Sequence, residues 1–177
     1  VSKVITLRLN RASIEKAIQE LKAYQKWLKE GVQQLVEEMA KEGVNIASVK
    51  FSQAQYDGTN DVQVTYTTRG QGTAVVHAGG NAVLFIEFGT GIRYPDNHPE
   101  AAANGMVRGE YGYGLGKLKG GWHYDGDPGT NGEVVQTGKH AGRVHTFGNP
   151  ANMPMYLTER ELETKFSDIA RRVFSHD

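Results

Sequence analysis

The sequence predicts an α+β fold: a long N-terminal amphipathic helix packed on a small, mainly antiparallel sheet, a long glycine-rich loop and a C-terminal helix. Three observations carry it. Apolar residues recur at three- and four-residue steps over residues 13–42, they alternate at every second position over 62–68, and the helical period returns after Pro154. With 177 residues, of which 38% are hydrophobic, the chain has material for one core. It therefore reads as a single domain, 1–177, carrying a Gly- and aromatic-rich insertion at about 89–149.

In chain order, residues 4–9 alternate well enough for a short strand, with Ile5, Leu7 and Leu9 on one face. The first helix follows, placing Ile14, Ala17, Ile18, Leu21, Leu28, Val32, Leu35, Val36 and Met39 along one face. Ser13 is placed to cap it, Glu15 suits the positive end of its dipole, and Gly43 is placed to stop it. Such a rod, ~45 Å long, exceeds what a small domain needs for its own packing, so part of it is expected to face a partner. Trp27 lies roughly 110° from the centre of the apolar face, on its flank, where it covers the core edge or makes a subunit contact. Gly31 marks close packing or a bend.

Residues 46–51, 62–68 and 74–77 read as three strands of a meander, with Asp57-Gly58 and Gly70-Gln71-Gly72 as turns. Residues 82–88 suit a buried strand or a short buried helix, and a seven-residue run does not choose between them. Between Gly89 and Asn149, 61 residues contain 15 glycines and hardly any sustained period, which predicts a mobile excursion that orders on a partner. The last helix is announced by Pro154 and runs to about Phe174; Thr158 and Glu161 offer a capping box as an alternative start.

Composition narrows the function. Twenty basic residues cancel 20 acidic ones, and no long block departs far from neutrality, which argues against a chain built to neutralise nucleic-acid phosphates. The absence of cysteine removes disulfides, thiolate metal sites and cysteine nucleophiles, and fits a reducing cytoplasm. No signal-peptide block or membrane-length apolar run is visible, so a soluble, unexported protein is expected.

Candidate chemistry is thin. The glycines of residues 109–118 miss phosphate-loop spacing, because Tyr111 stands where the first glycine belongs and Leu118 where Ser or Thr belongs. His77, His98, His123, His140, His145 and His176 lack the helical pairing of a zinc hydrolase and read as surface or loop residues, whether or not Asp96, Glu87 or Asp125 stands near them. Ser13 and Lys16 match a serine-lysine spacing only weakly. No catalytic, cofactor or metal residue is assigned, and no enzyme is expected. The informative stretch is the apolar run ending in Glu87-Phe88-Gly89-Thr90-Gly91. A carboxylate in apolar surroundings needs partners, so Glu87 is expected to accept backbone N–H groups from the following turn.

The order of these pieces resembles a known family. An amphipathic helix, a short meander, Glu87-Phe88-Gly89-Thr90-Gly91, an aromatic knot at Gly121-Trp122-His123-Tyr124 and a Gly148-Asn149-Pro150-Ala151-Asn152-Met153-Pro154-Met155-Tyr156 lead into the last helix span nearly the whole chain. The pattern is similar to the tail-component proteins of long-tailed bacteriophages, also described as neck, head-tail joining or tail-completion proteins. The resemblance implies a structural virion protein, a homo-oligomeric ring subunit between neck or connector proteins and tail-tube or tail-terminator proteins. It also implies that genomic DNA passes nearby without sequence-specific binding, with the protein in the host cytoplasm during assembly. No cofactor and no membrane are expected. Glu87, Phe88, Gly89, Thr90, Gly91, Trp27, Trp122, Tyr124 and Pro154 are the expected motif and interaction residues. The alternatives are a hydrolase using Glu87 with loop histidines and a small partner-binding regulatory protein.

Overall fold

A computed structural model describes residues 4–6, 8–70, 72–91, 98–106, 118–130 and 132–175. The elements, in order, are α1 (Arg11–Ser52), the hairpin strands β1 (Gln63–Gly70) and β2 (Thr73–Gly79), and α2 (Val83–Phe88). A 3-10 turn (Ala102–Asn104), the short strands β3 (Trp122–Tyr124), β4 (Glu133–Val134) and β5 (Val144–Thr146), and α3 (Pro154–Phe174) follow. The fold is α+β, as the periodicities predict, but several boundaries differ.

Helix α1 has 42 residues and does not stop at Gly43. Gly43 is buried where three elements converge: a Cβ there would lie 3.1 Å from Leu162 Cδ1 of α3 and 3.2 Å from Val76 Cγ2 of β2. The glycine lets them approach, and the tertiary contact outweighs its poor helix propensity. Residues 46–51, read as a strand, continue the helix and bury Ile46, Ala47 and Phe51. The meander is thus a two-stranded hairpin, and Asp57-Gly58 follows the helix rather than joining strands. The N-cap is Asn10, whose side chain accepts the Ser13 N–H, while Ser13 Oγ accepts the Arg8 N–H. The described residues before α1 form no strand. No helix among the described residues is long and apolar enough to cross a membrane.

Replacing Gly43 by valine is expected to cost about 1–3 kcal/mol, because a branched side chain must push α3 or β2 aside. Urea unfolding of Gly43→Val beside wild type measures it.

Strands β1 and β2 pair antiparallel, with Tyr66 opposite Val76 and Val64 opposite Ala78. Val62, Val64 and Tyr66 turn inward and Gln63, Thr65 and Thr67 outward, following the two-residue period. Helix α3 runs antiparallel to α1: the ion pairs Lys50–Glu161, Glu42–Lys165 and Glu38–Arg172 step in opposite directions along the two helices. Its last turn brings Phe174 edge-on to Trp27, with ring centroids 5.7 Å apart, and against Gly31. Gly31 therefore serves close packing, and Trp27 is a flank residue covering the end of α3. Thr158 lies inside α3, its hydroxyl donating to the Pro154 carbonyl, so Pro154 is the start and the Thr158–Glu161 alternative falls away.

The core joins Ala47, Phe51 and Ala54 of α1 and its exit to Ala82 and Ile86 at α2, with Val62, Val64, Ala78 and Met155 packed around them. Residues 82–88 resolve as the short helix, because this small-residue core admits a helix across the end of α1. The insertion is not structureless. Among its described residues, β3, β5 and β4 form a three-stranded antiparallel sheet in that order, built on the aromatic knot. Residues 92–97 and 107–117 lie outside the described residues. With them lie the glycine-rich 109–117, Tyr94, Asp96, Tyr111 and Tyr113, as does His176.

Candidate functional site: the buried junction of residues 86–91 and 148–156

Helix α3 opens on Met153, whose backbone is left-handed (φ 56°) and whose side chain makes no capping bond. Pro154 brings no N–H, so the first turn has two donors needing acceptors, Met155 and Tyr156. Glu87 supplies both: Met155 N–H donates to Oε2 at 2.8 Å and Tyr156 N–H to Oε1 at 3.0 Å. The carboxylate thus caps a helix 68 residues away in sequence, at the positive end of its dipole. The expectation that Glu87 accepts backbone N–H groups holds, but the donors come from α3, not from the turn that follows. That turn is occupied with Asn149, which explains the difference.

His98 completes the carboxylate's shell, with Nε2 3.2 Å from Glu87 Oε1. Its Nδ1 accepts the Glu100 N–H at 3.1 Å, which places the ring proton on Nε2, facing Glu87. The side chains are 1% and 7% exposed, and the His98 ring packs at a tilt against Phe88 and Tyr156, with centroids 4.4 and 5.6 Å away. His98 is a core histidine, contrary to the surface reading, because a buried carboxylate stabilises a buried donor.

Thr90 and Gly91 serve the next layer. Thr90 N–H donates to the Asn149 carbonyl at 2.9 Å, and Asn149 N–H donates to Thr90 Oγ1 at 2.8 Å. Gly91 has φ 79°, and a Cβ there would lie 2.7 Å from the Phe147 carbonyl oxygen; side chains larger than hydrogen are excluded where the segments cross. Asn149 is 1% exposed. Its Oδ1 accepts the Asp57 N–H at 2.8 Å and its Nδ2 donates to Asp57 Oδ1. Asn152 repeats the device: Oδ1 accepts the Gln55 N–H and Nδ2 donates to the Gln55 carbonyl, both at 2.9 Å. Its backbone N–H donates to Ile86 O, and that of Met153 to Glu87 O. Two asparagines thus clamp the exit of α1 to the segment that opens α3.

No family model, curated protein or solved structure matches this chain. The resemblance rests on the residues alone, and two of its pieces, 87–91 and 148–156, are the segments that meet here.

Of the other expected residues, Trp122 and Tyr124 stand half-buried on β3, opposite Thr146 and Val144. Tyr124 O–H donates to the Asp127 carbonyl at 2.8 Å. Burial first, then the negative charges of Asp57 and Asp127, push its phenol up to about 12. The 127–130 turn docks on the α1 exit through Thr130, whose N–H donates to the Tyr56 carbonyl and whose hydroxyl accepts the Tyr56 N–H, both at 2.8 Å.

The small sheet gathers His123, His140 and His145. The first two stack with centroids 4.0 Å apart, and His123 and His145 lie 4.8 Å apart. Among the described residues no three His, Asp or Glu side chains are placed to hold a metal ion. His145 Nε2 is directed at the Gly120 carbonyl, and Asp125 is paired with Arg143 at 3.1 Å. Desolvation, then the charges of His140, His145 and Arg143, hold the His123 imidazole below its usual range. A lowered folded-state value leaves the stabilisation intact above about pH 6.5, and it is lost as pH falls below it, because the unfolded chain takes the proton more readily. Proton NMR should therefore show the His123 ring titrating below a model imidazole, with amide protection in β3 and β5 falling as the solution is acidified through that range. A His123→Gln variant is expected to lose that part of the dependence.

Proposed function

We propose that this chain is a structural virion protein of a tailed bacteriophage, acting as a ring subunit in the neck or in the tail-completion or head-tail joining step. One observation supports the reading above the others. Two of the segments on which the resemblance rests lock onto each other, with the Glu87 carboxylate engaged by backbone donors and a core histidine. That is a structural use of the residue that would otherwise be the leading catalytic candidate. Such a frame suits a ring subunit, which presents the same surfaces to each of its neighbours. Near-zero net charge is compatible with a DNA passage that must not become a binding site. The neighbours in this reading are connector and tail-tube or tail-terminator proteins, and the setting is the virion, after assembly in the host cytoplasm.

The experiment is electron microscopy of lysates in which this gene alone carries an early stop codon. DNA-filled heads beside separate tails, with infectivity restored by supplying the protein, is the expected result. Intact, infectious particles would overturn the reading.

One observation favours hydrolytic chemistry as a second reading, the approach of His98 to Glu87. The pair is sealed from solvent, and a hydrolytic role requires an opening that admits substrate. The Glu87 variants discussed below separate the two: a catalytic carboxylate loses turnover with its fold intact, and a structural one loses stability.

A further inference from the structure

Among the described residues, an apolar stripe on α1 and an apolar groove beside α3 have complementary chemistry. The first lies on the N-terminal half of α1. Phe174 ends α3 against Trp27 and Gly31, and the hairpin tip reaches Val32 at Gly72, so the helix before Trp27 extends past both elements. On it Ile14, Ile18, Leu21 and Leu28 are 43%, 46%, 55% and 41% exposed. They form one stripe at steps of four, three and seven. Lys22 and Lys29 flank one side of that stripe, and residues 11–32 carry a net basic charge.

The second surface is a groove of about 510 Å³ where α3 crosses α1 and β2. Its floor and walls are Met39, Val76, Met155, Leu162 and Phe166, and its charged lining is Glu159 and Glu163, the second held by Arg160 at 3.0 Å, so Glu159 is the main acidic group on the rim. Methionine-rich apolar walls adapt to inserted side chains, and carboxylates on the rim select a partner with lysines beside its apolar row.

We infer that the α1 N-terminal stripe of one copy docks in the groove of the next, with Leu21 and its neighbours facing Phe166 and Leu162, and Lys22 and Lys29 facing Glu159 and Glu163. The occupant is a second copy because this chain itself presents the apolar row and the flanking charge that the groove calls for. The contact is heterologous: each copy offers a helix at one side and a groove at another, which is the relation that generates rings or filaments rather than two-fold dimers. The inference deepens the ring-subunit reading and rests on it for its biological setting.

Sedimentation velocity over a concentration series, with two single variants, tests it. Wild type is expected to shift above the monomer as concentration rises. Leu21→Glu and Phe166→Glu, both at exposed positions, should each weaken self-association by about tenfold or more while far-UV circular dichroism stays unchanged. Mixed together, the two variants should form one-to-one dimers and nothing larger, because the first retains a groove and the second a helix. Lys22→Glu should weaken association, and combining it with Glu159→Lys and Glu163→Lys should restore it. A wild type that stays monomeric throughout would overturn the contact, as would variants that fail to pair on mixing. Unimpaired association of Phe166→Glu would replace it with a two-fold pairing of α1 helices. None of these outcomes decides the stop-codon experiment: a monomer in solution with separated heads and tails would remove this contact and leave the virion reading standing.

Discussion

Replacing Glu87 by alanine is expected to remove about 3 kcal/mol or more of stability, a large share of the roughly 5–15 kcal/mol that holds a domain of this kind together. Without the carboxylate, the Met155 and Tyr156 N–H groups lose their acceptor, and the His98 Nε2–H is stranded in a site 1% exposed. Each buried unsatisfied donor costs on the order of 1–3 kcal/mol, and the cavity adds to that. Glu87→Gln is the finer probe. The amide keeps one acceptor oxygen, but it turns an NH2 group toward a second donor, so it should fall between wild type and alanine. Urea unfolding gives the free energies. Hydrogen exchange locates the damage, which should concentrate at the start of α3 and at residues 98–106. A Glu87→Gln variant as stable as wild type would remove the structural account of this residue.

The fold class was legible because it rests on long-range periodicity. Residues 13–42 and the last helix repeat at the helical step over many turns, and 62–68 alternates cleanly, so each element declares its own buried face. What misled was local chemistry overridden by contact. Gly43 has the profile of a helix stop and residues 46–51 have the β-branched content of a strand, yet Ile46, Ala47 and Phe51 continue the apolar face across the glycine. The glycine is there for Leu162 and Val76, two residues far along the chain that no window around position 43 contains.

The site divides along the same line. That Glu87 is buried and needs backbone donors follows from the apolar run around it. Which donors they are does not, since Met155 lies 68 residues on. Asn149 and Asn152 went unassigned individually because an asparagine hub leaves no periodic mark. The signal available was the Gly148-Asn149-Pro150 and Asn152-Met153-Pro154 punctuation, where prolines restrict the chain and asparagine side chains can bond to backbone. Asp57 carried the parallel hint of an Asp-Gly turn, and it became the partner that Asn149 holds.

That partnership gives the second large effect. Asn149→Asp places a carboxylate against the Asp57 carboxylate at a position 1% exposed. The amide donor is lost, and two like charges face each other in a site that solvates neither. Near neutral pH the variant is expected to lose on the order of 3–5 kcal/mol, the cost of an uncompensated buried charge. Acid should restore part of it. In the folded variant one proton shared by the two carboxyls supplies an O–H donor in place of the Nδ2–H, so the pair's folded pKa rises above the ~3.9 of an unfolded aspartate. The proton-linked stabilisation is therefore fully present below about pH 4 and is lost as pH rises through the raised folded value. The difference between variant and wild type, measured by urea unfolding at matched pH, should narrow steadily on acidification. Asn149→Ala is the control: it removes the Nδ2 donor, and the Oδ1 acceptor with it, without setting a second carboxylate against Asp57, so its deficit should narrow less. A deficit for Asn149→Asp that tracked the alanine variant at every pH would mean that the new carboxylate escapes Asp57 into solvent. The buried clamp between the exit of α1 and the entry to α3 would then be looser than these contacts require.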